Sequence, residues 1–429
     1  MRNWKRIGLG GFSTFAGLLG WQFVGYPLVM GLVARITNTD QQQSTDEPFI
    51  TVIVPSFTEA GVIARRVANL REQTYPNNRF EVLFVDSGST DGTPNVIQNA
   101  LDGLEPDDPS MKLLKQTERS GKASAINHGI EHGRGDVVLV TDANTVFVPE
   151  TIERIAPHFA DPTVGAVAGR LAVSDADSSL TASNHLYRDI EHMKAVGESP
   201  LDSVCQFVGE ISAWRADLVQ ADETSLAEDL DLSVRIRKQG YRIMYESEAL
   251  AYESEPDTVV EQITSKKRRV IGTIQVLLRH RDYLLIPGDR YRTIIFPSRK
   301  GLLMLSPFLC IGAAVCFLIT LVVAPLAALG ATLVTGSLGS ATFAALLAVR
   351  DRLPTTETAE DGDKTEIRSN GMGNELGPDT SLTDEGMDLG GILAVVRYVA
   401  VIEYAILLAW WDFFSGKYSV RWEKSTSDR

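Results

Sequence analysis

Phe80–Thr93 reads FEVLFVDSGSTDGT, an apolar stretch that ends on an acid and passes at once into turn residues. Val82, Leu83, Phe84 and Val85 form the short unbroken apolar run that a parallel sheet buries on both faces. Asp86 follows and Ser87-Gly88-Ser89 break the run, which places the carboxylate at the carboxyl end of a strand. In open α/β sheets that edge is where ligands bind, because the loops leave a crevice and the next helix offers free N–H groups to an anion. Asp91-Gly92-Thr93-Pro94 predicts the start of such a helix, with Asp91 as cap and Pro94 in the first turn. Taken alone, an acid after a strand is explained equally well as a turn former.

The rest of the chain argues for a ligand. Upstream, Phe49–Val54 predicts a first strand that runs into Pro55-Ser56-Phe57-Thr58-Glu59. Downstream come Gly121-Lys122-Ala123, Thr141-Asp142-Ala143-Asn144 and Ala227-Glu228-Asp229-Leu230-Asp231, in that order. This ordered set resembles the inverting family-2 glycosyltransferases of the GT-A fold, from roughly Phe49 to Leu285 and through several spaced motifs. The resemblance implies an α/β fold with a Rossmann-like, mostly parallel sheet, a nucleotide-diphosphate sugar donor, and Mg²⁺ or Mn²⁺ as cofactor.

Roles follow residue by residue from the resemblance. Phe57 would stack on the base and Glu59 would accept from ribose hydroxyls, with Thr58 standing where the family usually has Asn. Without the resemblance, Glu59 is an acid that suits the N-terminus of a helix over Ala60–Gln73. Asp86 would accept the ring N–H of uracil or guanine. Lys122 would help to hold the nucleotide, and a lysine beside a helix N-terminus otherwise opposes the dipole. Asp142-Ala143-Asn144 occupies the place of the Asp-any-Asp metal motif, so Asp142 and Asn144 are the expected metal ligands, with one negative charge fewer than usual. Asp229 matches the catalytic base and Glu228 would orient it or touch the acceptor. By themselves these two are ordinary first-turn acids.

Arg268 retains the basic position of the Gln-any-any-Arg-Trp pattern of processive synthases. Ser265 and Arg269 replace its Gln and Trp, which argues against extended polymer synthesis. The run Lys266-Lys267-Arg268-Arg269 also suits anionic lipid headgroups. Val208–Arg215 resembles an acceptor-side segment, and a helix around Leu180–Val196 reads as an amphipathic rim.

Charge and hydropathy narrow the partners. With 55 acidic against 41 basic residues the formal charge is −14, a surface that repels nucleic acid. The three cysteines, Cys205, Cys310 and Cys316, form neither a disulfide framework nor a zinc spacing. Ile7–Ala34 and Gly301–Val349 carry no charge and are long enough for one crossing of a membrane and a pair. The pair would turn at Pro325 or near Gly336, and Gly391–Phe414 gives a fourth segment interrupted by Arg397 and Glu403.

The expected organisation is a membrane segment over 1–36, a linker over 37–48, the catalytic domain over 49–300 and a helix pair over 301–349. An acidic, disordered loop over 350–390, a last crossing over 391–414 and a polar tail over 415–429 complete it. Arg290, Arg292, Arg299 and Lys300 favour a catalytic domain on the cytoplasmic side, whereas Arg2, Lys5 and Arg6 favour the reverse unless the first segment is re-entrant. The expected activity is sugar transfer to a lipid-linked or cell-surface glycan acceptor at the membrane. A processive exopolysaccharide synthase and a non-catalytic nucleotide-sugar sensor stand as alternatives, the second motivated by Asn144.

Overall fold

The computed structural model describes residues 2–37, 47–173, 179–253, 259–350 and 389–416. Residues 351–388 of the expected loop over 350–390, most of the linker over 37–48 and nearly all of the polar tail lie outside them.

Eight strands form one mixed sheet in the order β3-β2-β1-β4-β7-β6-β8-β5. They are β1 Ile50–Ser56, β2 Phe80–Asp86, β3 Ser110–Lys115, β4 Val137–Val140, β5 Val146–Phe147, β6 Val164–Val173, β7 Ser212–Arg215 and β8 Arg242–Glu253. β1 runs parallel to β2 and β4, β2 to β3, and β6 to β8, while β7 opposes both its neighbours and β5 opposes β8. Every residue of β2 is buried, as expected for a strand covered on both faces.

Register decides what meets at the carboxyl edge. Ser56 lies opposite Asp86, and Val140 lies opposite Ile53, so Asp142 emerges from β4 level with the end of β1. β7 runs the other way and starts at that same edge, with Ser212 opposite Val140. Glu210, just before β7, and Glu253, the last residue of β8, are therefore delivered to the edge that carries Asp86 and Asp142.

Helices cover the sheet much as the apolar spacing predicts. Helix Ile63–Arg71 lies within the expected Ala60–Gln73, Thr93–Leu101 follows β2, and Ser179–Leu201 extends the expected rim helix. Gly92, with φ +92°, caps helix Thr93–Leu101. Asp91 instead accepts from Thr93 N–H and Oγ1 and from Ala60 N–H, which ties the loops after β1 and β2 together.

Among the described residues three helices are long and apolar enough to cross a membrane: Asn3–Ile36, Tyr291–Val323 and Pro325–Arg350. The first is continuous apart from a wide turn at Trp21–Gly25. It packs antiparallel to Leu302–Val323, closely enough that a Cβ on Gly8 would lie 2.5 Å from Thr320 Oγ1. Its far end rests on helix Ser179–Leu201, where Gly197 meets the Met30 backbone. The apolar pair breaks at Ala324-Pro325, where the proline lacks the N–H that would continue the ladder. The second apolar helix already starts at Tyr291 and so takes in Arg292, Arg299 and Lys300, ahead of the expected boundary at 300. Helix Leu389–Phe414 forms over the expected fourth segment. In it Glu403 accepts from Ser306 Oγ at 2.8 Å, and Trp410 Nε1 donates to Met304 C=O at 2.9 Å.

Candidate active site

One end of the crevice is built by the loops after β1 and β2. Asp86 is 2% exposed; its Oδ2 accepts from Ser89 N–H at 3.1 Å, while its Oδ1 has no hydrogen-bond partner among the described residues. A buried carboxylate oxygen left open in this way is a place for a ligand N–H. Phe57 lies beside it in the loop after β1 and is covered on one face by the Arg119 guanidinium, 4.2 Å from its centroid. Thr58 has φ +56°, the left-handed region that penalises a β-branched side chain and suits Asn or Gly. Two bonds hold it and its neighbour there: Thr58 N–H donates to Ser89 Oγ at 2.9 Å and Glu59 N–H to Thr93 Oγ1 at 2.8 Å.

The middle of the crevice is ionic. Lys122, first residue of helix Lys122–His132, turns back from Gly121 to place Nζ 2.6 Å from Asp142 Oδ1 and 3.7 Å from Glu228 Oε1. Burial disfavours its ammonium, but Asp142, Glu228 and Glu210 together hold it above its ordinary value. Single carboxylate oxygens of Asp142, Glu210 and Glu253 lie within 4.8 Å of one another. Burial raises the Asp142 carboxyl against the pull of Lys122, and Glu210 and Glu228 add to the rise. Glu253 is pushed up to about 8, first by burial and then by Glu210 and Asp142. Glu210 ends below its ordinary value, because Arg269, Lys122 and Arg188 outweigh its burial. An all-oxygen donor set with strained carboxylates fits a hard divalent cation, whose charge would relieve the repulsion.

Asn144 lies alongside this cluster, its Nδ2 donating to Glu253 Oε1 at 3.4 Å. Two carboxylates therefore stand where the sequence reading counted one charge missing. Glu210 and Glu253 were not singled out from the sequence, although the rule that flagged Asp86 and Asp142, an acid at a strand end on the ligand edge, applies to both once β7 and β8 are placed.

The far end carries Glu228 and Asp229 in the first turn of helix Glu228–Lys238. Asp229 is pushed up to about 6, by burial first and then by Glu228, with Lys300 working against both. Its Oδ2 accepts from Gln206 Nε2 at 3.4 Å, and its backbone C=O accepts from Ser233 Oγ at 2.7 Å. Asp231, two residues on, is fully buried and tied to His280 and Arg279, which docks this helix on helix Val259–Arg279. Arg268 and Arg269 of that helix lie in electrostatic reach of Glu228 and of Glu210, Glu253 and Asp229, respectively. Lys267, next to them, pairs with Asp412 at 2.8 Å and binds the helix to Leu389–Phe414. The crevice thus brings together a buried carboxylate with an open oxygen, a charged centre and a half-buried acid.

Residues 51–208 match the family described as glycosyl transferase family 2, and residues 137–348 match glycosyl transferase family group 2. A beta-monoglucosyldiacylglycerol synthase of Synechocystis is 27% identical over 223 residues, 48% of this chain and 43% of the relative. An N-acetylglucosaminyltransferase of Rhizobium leguminosarum is 29% identical over 284 residues, 60% of this chain and 63% of the relative. The chain spans about half the length of the curated relatives it matches. Among solved structures, the mannosyltransferase PcManGT from Pyrobaculum calidifontis, in complex with GDP-Man and Mn²⁺, superposes with a TM-score of 0.59 at 26% identity, covering 79% of this chain and 97% of that one. The matches, the sheet and the motif order converge: over residues 51–348 the chain carries a family-2 glycosyltransferase domain with a GT-A fold.

Proposed function

We propose that this enzyme moves a sugar from a nucleotide-diphosphate sugar to a lipid-linked or cell-surface glycan acceptor, with inversion, at the cytoplasmic face of a membrane. The observation that carries the reading is the convergence on one sheet edge of Asp86 with its open oxygen, the Asp142, Glu210 and Glu253 cluster, and Asp229. Asp86, Phe57 and Glu59 bind the nucleoside, and Lys122 and Arg268 face the diphosphate. Asp142, Glu210 and Glu253 would hold Mg²⁺ or Mn²⁺, with Asn144 oriented against Glu253, and the ion would offset charge on the departing diphosphate. Asp229 takes the proton of the acceptor hydroxyl as that oxygen bonds to the anomeric carbon; the bond to the diphosphate breaks and its electron pair leaves with the nucleotide. Glu228 orients the acid and keeps its proton affinity raised.

The GDP-Man and Mn²⁺ complex of the Pyrobaculum mannosyltransferase supports a nucleotide-sugar donor and a divalent ion. Relatives named for glucosyldiacylglycerol synthesis support a lipid acceptor. Relatives named poly-beta-1,6-N-acetyl-D-glucosamine synthase keep a processive synthase as the second reading, against which stands Arg269 at the aromatic position. The two added carboxylates weaken the case for a sensor that rested on Asn144.

The test is nucleotide release by the full chain in detergent, with Mn²⁺ or Mg²⁺, across UDP- and GDP-sugars with and without lipid extract. Metal-dependent release that drops at least ~100-fold in Asp229→Asn, with Mn²⁺–nucleotide affinity retained, is the expected result. Binding of a donor with no release under any condition would favour the sensor, and long polymer would favour the synthase.

A further inference from the structure

The segment that joins helix Ser179–Leu201 to β7 carries Gln206, the donor to Asp229 Oδ2. At 3.4 Å that bond is at the long end of the range, so a small movement of the segment makes or breaks it. Gln206 follows Cys205, which is fully buried. Cys205 N–H donates to Glu198 Oε2 at 3.0 Å, and its C=O accepts from Tyr291 O–H at 2.7 Å. Tyr291 holds the start of the segment as well, its backbone N–H donating to Asp202 Oδ2 at 3.0 Å. On the other side, Phe207 N–H donates to Ser233 Oγ, the hydroxyl that bonds the Asp229 carbonyl.

Both Cys205 clamps lead to the apolar helices. Tyr291 opens the candidate span Tyr291–Val323. Glu198 Oε1 accepts from Tyr26 O–H at 2.6 Å, in the first span, and faces Arg299 Nε at 2.9 Å, in the second. Glu198 and Tyr291 have no solvent exposure, so neither clamp can be replaced by water without rearrangement.

We propose that Tyr291 and Glu198 are positioning residues for the transfer step, through which the membrane helices aim Asp229 by way of Cys205 and Gln206. This rests on the reading of Asp229 as the base. A carboxylate base presents one oxygen to the acceptor hydroxyl while the other is held, and Gln206 supplies the hold on Oδ2. Removing the Tyr291 hydroxyl leaves the Cys205 carbonyl without its donor and loosens the segment, while the donor-binding loops after β1 and β2 are untouched. How the apolar helices seat against each other is then read directly at the acid that accepts the proton.

The experiment is a double-mutant cycle of Tyr291→Phe and Gln206→Met in the full chain in detergent, read by nucleotide release from the sugar panel and by affinity for Mn²⁺–UDP and Mn²⁺–GDP. Each single variant is expected to lower kcat by about 3- to 10-fold with nucleotide affinity unchanged, and to move the acid limb of the kcat–pH profile upward, since a lost donor raises a carboxylate's proton affinity. The double variant is expected to fall no further than the worse single one, because both act through one contact. Additive losses, or a Tyr291→Phe protein that melts earlier with unchanged kcat and pH profile, overturn the proposal. Should Tyr291→Phe not fold, Tyr26→Phe, which removes one partner of Glu198, is read by the same kcat and pH criteria. An Asp229→Asn protein with wild-type turnover would instead sink the reading of the base itself; a dead Asp229→Asn beside wild-type single variants sinks only the positioning role.

Discussion

Asp229 shows how much of the chemistry is set by the surroundings of one side chain. A carboxyl pushed up to about 6 by burial and Glu228 is a better base than an ordinary aspartate and is still mostly ionised at neutral pH. The sign follows from the proposed role: the ionised form would accept the proton, so kcat is expected to fall as pH drops through about 6, approaching tenfold per unit below it, and to level above it. A pH–rate profile of nucleotide release checks this; a profile flat down to pH 5 would remove Asp229 from the step. Thr58 makes a prediction of another kind. Its φ of +56° strains a β-branched residue, so Thr58→Asn should stabilise the protein by about 0.5–1 kcal/mol, seen as a raised melting temperature. A lower melting temperature would mean that the Thr58 hydroxyl, which donates to Phe57 C=O at 2.7 Å, outweighs the strain.

Between elements, the decisive contact is where the first apolar helix meets the catalytic domain. Gly197 in helix Ser179–Leu201 lies against the backbone of Met30, and any Cβ there would collide with the Met30 carbonyl. Backbone cannot yield as a flexible side chain can, so Gly197→Ala must push the two helices apart. The expected cost is about 1–3 kcal/mol of stability, measured by thermal unfolding in detergent, together with a drop in turnover as Glu198, one residue on, shifts away from Tyr26. An Ala variant that melts and turns over like the wild type would show that the helices do not depend on this approach. The helix Leu389–Phe414 is tied in from the other side by Lys267 and Asp412, next to Arg268 and Arg269 on helix Val259–Arg279.

For the molecule as a whole, three long apolar helices with most of their surface uncovered predict tight association with a bilayer. The chain should stay in the membrane fraction through high salt and alkaline carbonate and be released by detergent; release by salt alone would mean peripheral attachment through the basic run instead. The sequence by itself determined the order of the motifs and the strands that run into Asp86 and Asp142, because strand burial and turn chemistry are local and leave their periodicity in the chain; the mostly parallel sheet and the place of Asp229 came with the resemblance that the motif order carries. It also determined the apolar segments, but left the break in the pair between Pro325 and the glycines near Gly336; the structure places it at Ala324-Pro325. Only the tertiary structure decided that Glu210 and Glu253 join Asp142, since that meeting depends on β7 running antiparallel and on β8 lying parallel to β6, pairings that no spacing records. The same holds for Gln206 beneath Asp229 and for Tyr26, Tyr291 and Arg299 around Glu198. These contacts join residues up to 172 positions apart, and their partners are chosen by how the helices pack and not by any pattern in the neighbouring sequence.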